Sequence, residues 1–414
     1  MNQPFAVRMV TAAAAAVCYF ALFASPVAAQ YSAVNLVSNT STLSPSSIDQ
    51  NLVNGWGLVS SPTSPFWVSD QNTSDATVFT ATGAVIPLVV QIPCVVGRTE
   101  TVPCPYPGEG KLFEPHAGKL NFFGPTGIVW NAFSSTGAFT VPGSTPSHTA
   151  VFIFDTLDGL IVAWSPQINS TQGIVVANRS SSGASYNGLA LAALSGSPHL
   201  YATNSVPGGK IDVFDSTFTL VNSFAADPDP PTGFVPYGIQ LIGNKLYVTY
   251  FNARGGGGIL DICNLETSST APMCRRLFAS LPSSGQTVLN GPWGLARSPA
   301  NFGELSNKIL VGNVTDGMIH AFNPDTGVLA GTLTLSNGKP FAVPGLWALQ
   351  FGHGAAANGA INQLFFTAGP APAGNPSLLF SEGLFGKIMP AGGGTSGPLE
   401  NWGDKRTRFV PLTP

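Results

Sequence analysis

Residues 290–327 read NGPWGLARSPANFGELSNKILVGNVTDGMIHAFNPDTG, and this stretch decides the fold class. A Gly-Pro turn leads into a short apolar strand at 293–296, and a second strand follows at 308–312. A polar turn then leads to a third strand at 318–322, which runs into a further turn. Short apolar runs between Gly-, Pro- and Asn-containing turns are typical of antiparallel hairpins. The stretch therefore predicts most of a four-stranded antiparallel sheet.

Fainter copies of this pattern fill the chain. The first strand of each copy carries an aromatic or small residue, then Gly (once Ala), then an aliphatic residue, at Trp56-Gly57-Leu58, Thr126-Gly127-Ile128, Asn187-Gly188-Leu189, Tyr237-Gly238-Ile239, Trp293-Gly294-Leu295 and Trp347-Ala348-Leu349. A second apolar strand ends in a polar turn, at 66–70, 152–156, 200–204, 246–250, 309–313 and 364–368. A third strand follows each turn, and the fourth is the least regular, as at 221–225 and 328–335. Six copies of four strands predict a six-bladed β-propeller.

The predicted fold class is all-β: a six-bladed β-propeller of four-stranded antiparallel blades, with the ring closed by an N-terminal strand. One blade cannot bury both of its faces, but six blades stacked radially bury all of them except the rims. The sixth copy has only three strands, so we expect residues 33–37 to supply its outer strand. The propeller then spans 30–390, with an insertion at 93–124 and a C-terminal tail at 391–414. A parallel β-solenoid is the main rival, but its rungs are shorter and lack these hairpin turns.

The N-terminus has the pattern of a secretion signal. Arg8 precedes the apolar run 9–23, and small residues at 27–29 offer a cleavage site before Gln30. We therefore expect a signal peptide at 1–29, cleavage, and a secreted, extracellular protein with no membrane attachment; a retained anchor is the alternative. Charged residues are 9% of the chain and the net charge is −3. Such a composition gives no electrostatic basis for binding nucleic acid, and we expect a monomer.

The cysteines and glycosylation sequons agree with a secreted protein. Four cysteines fall as two local pairs, Cys94 with Cys104 and Cys263 with Cys274, which predict two short disulfide loops in an oxidising compartment. Zinc ligands are spaced more closely than either pair, so a metal site there is the weaker alternative. Asn-x-Ser/Thr sequons predict glycosylation at Asn39, Asn72, Asn169, Asn178 and Asn313.

An ordered set of motifs resembles an uncharacterised family of secreted propeller proteins, known mainly from bacteria as a conserved hypothetical domain. The matching motifs run from Asn51-Leu-Val-Asn-Gly-Trp-Gly-Leu58 through Gly291-Pro-Trp-Gly-Leu295 to Gly383-Leu-Phe-Gly386, and the resemblance covers residues 31–390. More loosely, the repeat is similar to NHL repeats and to gluconolactonase-like propellers. The first resemblance implies the fold and brings no established activity with it.

Oxygen-bearing side chains recur where the turns of a propeller meet one mouth of its central channel. They are Asn54, Asp70, Asp158, Asn187, Asn204, Asn252, Asn290, Asn313 and Asp316. Oxygen ligands suit Ca²⁺, so the hypothetical metal site comprises Asn54, Asp70, Asp158, Asn187, Asn204 and Asn290. Resemblance to gluconolactonase-like enzymes implies one Glu, one or two Asn and one Asp there. Asn187-Gly188 resembles their Asn-Gly motif, but Asn54 stands where their first Glu is expected. Turn formation alone also explains these residues.

The aromatic residues before the inner glycines, Trp56, Tyr237, Trp293 and Trp347, have two interpretations. They could line a mouth that stacks on a sugar or peptide, or they could pack between adjacent blades; recurrence with the fold favours packing. Serine-hydrolase, zinc-helix and phosphate-loop motifs are absent from the sequence, and no catalytic residue is assigned. The sequence favours a binding or scaffold module for a glycan, peptide or small ligand. A Ca²⁺-type, lactonase-like hydrolase acting at the channel mouth is the alternative.

Overall fold

A computed structural model describes residues 31–96, 100–102, 123–194, 197–266, 268, 270, 272–281 and 288–391. The predicted signal peptide at 1–29, Cys104, most of the insertion and the tail after residue 391 lie outside these residues. Within them the protein is a six-bladed β-propeller, as predicted, and each blade is built on a four-stranded antiparallel sheet.

The strands follow one another from the channel outward in each blade. Blade 1 contains β3 (Gly55–Val59), β4 (Phe66–Asp70), β5 (Asp75–Phe79) and β6 (Val85–Gln91). Blade 2 contains β9 (Pro125–Trp130), β10 (Phe152–Thr156), β11 (Leu160–Trp164) and β12 (Ile174–Asn178). Blade 3 contains β13 (Tyr186–Leu194), β14 (Ser197–Asn204), β15 (Ile211–Phe214) and β16 (Leu220–Phe224).

The other three blades repeat this order. Blade 4 contains β17 (Val235–Ile242), β18 (Lys245–Phe251), β19 (Gly258–Asn264) and β20 (Met273–Ser280). Blade 5 contains β21 (Pro292–Arg297), β22 (Ile309–Asn313), β23 (Ile319–Phe322) and β24 (Leu329–Thr332). Blade 6 contains β25 (Leu346–Phe351), β26 (Leu364–Ala368), β27 (Leu384–Pro390) and the N-terminal strand β1 (Tyr31–Ser38).

Strand β1 closes the ring, which confirms the prediction for residues 33–37. It pairs antiparallel with β27, and Tyr31 lies opposite Pro390 at one end of the pairing. The short strand β2 (Ser47–Ile48) adds to β1 in parallel, so this sheet has a fifth strand. Blade 6 thus joins the two ends of the described chain, and we call its contact with blade 1 the seam.

Elements outside the blades are short. The insertion contributes a hairpin of β7 (Cys94–Val96) and β8 (Glu100–Val102). No α-helix occurs in the described ranges, which hold only single 3-10 turns at Ser41–Leu43, Ser134–Thr136, Ser180–Ser182, Gly303–Leu305 and Pro376–Leu378. In the part of the chain that the structure covers, no helix has the length and apolarity needed to cross a membrane.

The inner glycines are required by close approach between neighbouring inner strands. A Cβ added to Gly294 would lie 2.3 Å from the carbonyl oxygen of Trp347 in the next blade, and one on Gly238 would lie 2.1 Å from that of Trp293. Both distances are far below van der Waals contact, so a side chain would push the blades apart. The inner strands therefore crowd around the channel axis.

The core lies between the blades, on both faces of each sheet. Phe66 and Val68 of β4 belong to the apolar cluster on the blade 6 side, whereas Trp67 belongs to the cluster shared with blade 2. Burial on both faces explains why the second and third strands are apolar almost throughout. The predicted disulfide between Cys263 and Cys274 is present and joins β19 to β20. Cys94 is also disulfide-bonded.

Candidate functional site

One face of the ring carries the starts of the inner strands and the turns between second and third strands, and we call it the mouth face. Four aromatic side chains of the inner strands meet there across the channel axis. Trp56 stacks on Trp347 with ring centroids 3.6 Å apart and meets Tyr237, from the opposite blade, edge-on at 6.5 Å. Trp293 packs edge-on against both indoles at 6.4 and 6.1 Å. The four rings therefore close the channel.

This packing revises the prediction for the aromatic residues. The rings do not pack only between adjacent blades, because Tyr237 and Trp56 come from blades 4 and 1, which face each other across the axis. Rings of this size fill the gap at the channel centre and bury one another. Trp56 and Trp347 are almost completely buried, whereas Trp293 keeps partial exposure.

Residues of the turns and of one strand end at the mouth face extend this aromatic group into an apolar cap. Phe251 stacks on Tyr237 at 5.3 Å, and Phe380, from the long turn of blade 6, stacks on Trp347 at 5.4 Å. Val314 completes the buried part of the cluster. Partly exposed apolar side chains border it, namely Leu157, Ala253, Trp293 and Leu379. The cap therefore presents an apolar surface to solvent at the centre of the mouth face.

Hydrogen bonds fix the rings of the cap. The indole of Trp347 donates to Asn54 Oδ1 at 2.8 Å, and Asn54 Nδ2 donates to Gln71 Oε1 at 2.8 Å. Gln71 continues the chain to the carbonyl of Phe123 at 2.7 Å. The indole of Trp293 donates across the channel to the carbonyl of Asn187 at 2.6 Å. Asn54 adopts φ +52°, a conformation that Asn tolerates better than most residues.

The channel next to the cap is narrow. The aliphatic residue after each inner glycine or alanine lines it, one from each blade, namely Leu58, Ile128, Leu189, Ile239, Leu295 and Leu349. The cavity measures about 20 Å³, which holds about one water molecule. A sugar or peptide therefore has no room inside this part of the channel.

The predicted metal residues occupy separate environments. Asp158 accepts a 2.6 Å hydrogen bond from the amide of Val95 and so fastens the insertion hairpin to blade 2. Asn204 donates to Asp212 at 3.2 Å and accepts from the amide of Ser185 at 3.1 Å. Asn54 supports Trp347, as described above. These three side chains serve local structure at different blades.

Asn187, Asn290 and Asp70 complete the predicted set. Asn187 lies beside the cap, and its buried Oδ1 has no hydrogen-bond partner. The side chain of Asn290 faces Asp316, whose pKa is raised to about 6 chiefly by burial. Asp70 is fully buried at the seam. The six residues are not gathered at one point through direct contacts, and their shared Ca²⁺ site stays a prediction.

The remaining titratable side chains of the described residues are further candidates for metal ligands or catalytic groups. Within the described ranges, no three His, Cys, Asp or Glu side chains are placed to hold a metal by themselves. His320, on β23, contacts Thr332 Oγ1 at 3.0 Å, and burial lowers its pKa to about 4. That histidine therefore stays neutral near pH 7 and packs within the blade.

The glycosylation sequons differ in accessibility, and their modification stays a prediction. Asn178 is exposed, and Asn39 and Asn169 are partly exposed. Asn72 donates its amide to the carbonyl of Phe380 at 2.6 Å, and the fully buried Asn313 donates to the carbonyl of Val288 at 2.9 Å.

A second set of polar residues, which was not predicted as a group from the sequence, holds neighbouring inner strands together. Thr367 Oγ1 donates to the carbonyl of Trp56 at 2.6 Å and accepts from the amide of Ala348 at 3.1 Å, and Asp155 accepts from the amide of Gly127 at 2.5 Å. The equivalent position, one before the turn residue of the second strand, holds Ser69, Asp155, Thr203, Thr249, Gly312 and Thr367. That recurrence was visible in the repeats and could have predicted the role.

Comparison with known proteins gives relatives without an assigned activity. No family model matches the chain. Three uncharacterized proteins of Acanthamoeba polyphaga mimivirus are similar to it. The first is 32% identical over 232 residues, which are 50% of this chain and 40% of the relative, and the second is 29% identical over 262 residues, which are 59% of each. The chain thus spans about half the length of the curated relatives that it matches.

Solved structures similar to this chain are distant from it in sequence and in structure. An auxiliary nutrient binding protein from Bacteroides ovatus has a TM-score of 0.49 and 10% identity, covering 87% of this chain and 77% of that one. A calcium-binding protein, regucalcin, from Agrobacterium tumefaciens has a TM-score of 0.47 and 13% identity, covering 85% and 96%.

Proposed function

We propose that this protein is a secreted binding module that holds an extracellular glycan or peptide against the apolar cap of the mouth face. The observation that supports this function is the closure of the channel by Trp56, Tyr237, Trp293 and Trp347. Closure leaves a cavity for about one water molecule, so a ligand of useful size binds on the cap and not in the channel.

The chemistry of the cap defines the ligand class. Leu157, Trp293 and Leu379 offer partly exposed apolar surface, and the surrounding turns supply backbone and side-chain hydrogen-bonding groups. A sugar ring has one apolar face and a polar edge, and a peptide can present an apolar side chain beside its amides. Both match an apolar floor with a polar border, which is the usual anatomy of a recognition surface.

Catalysis receives less support from the same geometry. A metal-dependent hydrolase needs a cation with an open ligand position and a base placed beside it. Asn54 and Asp158, two of the predicted ligands, are engaged in hydrogen bonds to Trp347 and Val95. The lactonase-like alternative therefore has no specific contact in its favour.

An array experiment tests the proposed function. The mature protein is labelled and applied to glycan and peptide arrays, and positive ligands are measured by titration calorimetry. Leu379→Ser removes apolar surface beside Trp347 and Phe380, and we expect it to weaken binding by roughly tenfold. Val328→Ser is the control, because Val328 is 64% exposed on the outer part of blade 5. Equal affinity of both variants and the wild type would contradict a site on the cap.

Secretion is tested separately. Expression of the full chain in a host with a secretory pathway is expected to release protein whose N-terminus is Gln30, as read by mass spectrometry. Recovery of an intact N-terminus in the cell membrane would contradict it.

A further inference from the structure

One side of the blade 1 sheet packs against blade 6. Where this side reaches the mouth face, it carries a buried group of acidic residues. Asp70 is the last residue of β4 and Asp75 the first of β5, and the two lie directly opposite each other in the hairpin. Directly opposed residues of antiparallel strands have neighbouring side chains on one face of the sheet. Thr77 follows Asp75 by two positions and shares that face. Phe66, Val68 and Phe79 of the same face pack in the seam with Phe365 and Phe385.

The side chains of Asp70, Ser74 and Thr77 are removed from water, and their oxygens lack hydrogen-bond partners. Asp70 and Thr77 are 0% exposed, Ser74 is 2% exposed and Asp75 is 6% exposed. Both carboxylate oxygens of Asp70 and the hydroxyl oxygens of Ser74 and Thr77 have no hydrogen-bond partner. The Thr77 hydroxyl and amide face Asp70, but the hydroxyl does not reach hydrogen-bond geometry. Buried polar atoms are nearly always partnered, so several together indicate a ligand.

The negative charges around Asp70 make its ionised carboxylate unfavourable unless a cation is bound nearby. Among the residues that the structure describes, the charged groups that act on Asp70 are the carboxylates of Asp49 and Asp75. Burial, chiefly, and these carboxylates raise its pKa, because both disfavour the ionised form. The pKa of Asp75 rises to about 7 for the same two reasons. A bound cation would reverse both effects.

We propose that Asp70 and Asp75, together with the hydroxyls of Ser74 and Thr77, bind a hard divalent cation such as Ca²⁺ at the seam. Carboxylate and hydroxyl oxygens are ligands that this class of ion accepts, and two carboxylates balance its charge. The site differs from the predicted ring of channel-mouth ligands, from which it takes only Asp70. It does not depend on the proposed binding function.

The location gives the cation a role in closing the ring. The turn between β4 and β5 holds the segment that leads from the closing strand into blade 1. Thr73 Oγ1 donates to the carbonyl of Asn51 at 2.9 Å, and the amide of Asn72 donates to the carbonyl of Val53 at 3.3 Å. A cation on Asp70 and Asp75 fixes this turn and therefore strengthens the contact between the first and last blades.

Asp261 in blade 4 provides a matched contrast. It is also fully buried, and neither of its carboxylate oxygens has a hydrogen-bond partner. However, Asp261 lies opposite Arg276 on the neighbouring strand, and that arginine is paired with Asp227 at 2.8 Å. Arg276 and Asp227 both act on Asp261, so its surroundings, unlike those described for Asp70, already include a cationic side chain of the protein.

The test measures Ca²⁺ binding to the chelator-treated mature protein by titration calorimetry and by thermal unfolding. Wild type is expected to bind CaCl₂ and to unfold at higher temperature with it, because a ligand specific for the folded state raises stability. Asp70→Asn and Asp75→Asn are expected to weaken Ca²⁺ binding roughly tenfold or more, since each removes one of two ligand charges. Asp261→Asn is the control and is expected to bind Ca²⁺ as wild type does.

Thr77→Val keeps the experiment informative if the aspartate variants fail to fold. It removes one oxygen with little change in volume and is expected to weaken Ca²⁺ binding by a smaller factor. Absence of Ca²⁺ binding by the wild type would overturn the proposal. Undiminished binding by Asp70→Asn or by Thr77→Val, or an equal loss in Asp261→Asn, would overturn it as well.

Discussion

The indole of Trp347 stacks on that of Trp56 at 3.6 Å and donates its N–H to Asn54 Oδ1, two residues before Trp56 in the chain. Blade 6 and blade 1 therefore meet through both a stacked pair and a hydrogen bond at the channel axis. The seam that closes the ring and the cap that covers the channel share these residues, so stability and the mouth surface are linked.

Removal of either stacked indole should destabilise the fold strongly. Trp56 and Trp347 are 1% and 0% exposed, and Trp-to-Ala changes in a core cost about 3–5 kcal/mol. We expect Trp56→Ala to lower the free energy of unfolding by that amount in urea titrations. Val328→Ala, at an exposed position, should change it by less than about 0.5 kcal/mol. Similar effects for both variants would contradict the packing described for the cap.

The inner glycines should not tolerate a methyl group. Gly294→Ala would place Cβ 2.3 Å from the carbonyl oxygen of Trp347, and such overpacking costs about 1–3 kcal/mol or more. Gly331→Ala is the control, because its nearest neighbour, the side chain of Leu305, would be 3.5 Å away. Thermal unfolding should show a clear loss for the first variant and little change for the second. The reverse order would contradict the close approach of blades 5 and 6.

The sequence predicted the fold more completely than the site. The repeated Gly positions and polar turns are set by local backbone geometry, so the repeat and the closing strand β1 could be predicted from short stretches. The convergence of Trp56, Tyr237, Trp293 and Trp347 depends on how six blades meet at the axis, which no single repeat encodes. The same holds for the seam, where Asp70 and Asp75 are adjacent in a hairpin but are buried by a distant blade.

The ring-closing strand should depend on one buried hydroxyl. Tyr31 donates to the carbonyl of Phe302 at 2.6 Å and accepts from the amide of Leu305 at 3.1 Å, so it ties β1 to blade 5. Tyr31→Phe leaves both backbone groups without this partner, which costs about 1–3 kcal/mol for a buried group. Urea unfolding should detect that loss. An unchanged unfolding midpoint would show that the hydroxyl does not fasten the strand.

The buried carboxyls should make stability fall as pH rises from about 4 to about 7. Burial raises the pKa of Asp155 to about 7 and that of Asp261 to about 8, from an ordinary value of 3.8. In this window the folded protein holds protons that the unfolded chain has released. Each such group lowers the free energy of unfolding by up to about 1.4 kcal/mol per pH unit as pH rises.

Urea titrations at several pH values, with chelator present, test this dependence. Asp261→Asn removes one of the titrating groups, so its free energy of unfolding should fall less steeply with pH than that of the wild type. Arg276 and Asp227 face the same group and remain in the variant. A wild-type stability that rises across the window, or a variant with an identical slope, would contradict protonation of the buried carboxyls.

The polar residues that join the inner strands show how much of a structural role can be predicted by comparing the repeats in the sequence. Thr203, Thr249 and Thr367 occupy one register position, and all three hydroxyls bond to inner-strand backbone. The sequence showed the recurrence but not the partner, because the acceptor carbonyl often belongs to the next blade. In blade 5 this position is Gly312, and the side chain of Leu346 fills the space, since a Cβ added there would lie 2.9 Å from Leu346 Cδ2.

Hydrogen–deuterium exchange with a ligand selected on the arrays tests the central claim most directly. The proposed function predicts that the ligand slows amide exchange in the mouth-face turns at 157–159, 252–257, 314–317 and 369–383, which border the cap. The outer strands β16 and β24 should exchange at the same rate with and without it. Protection confined to those outer strands, or to the face opposite the cap, would contradict a ligand site over the closed channel.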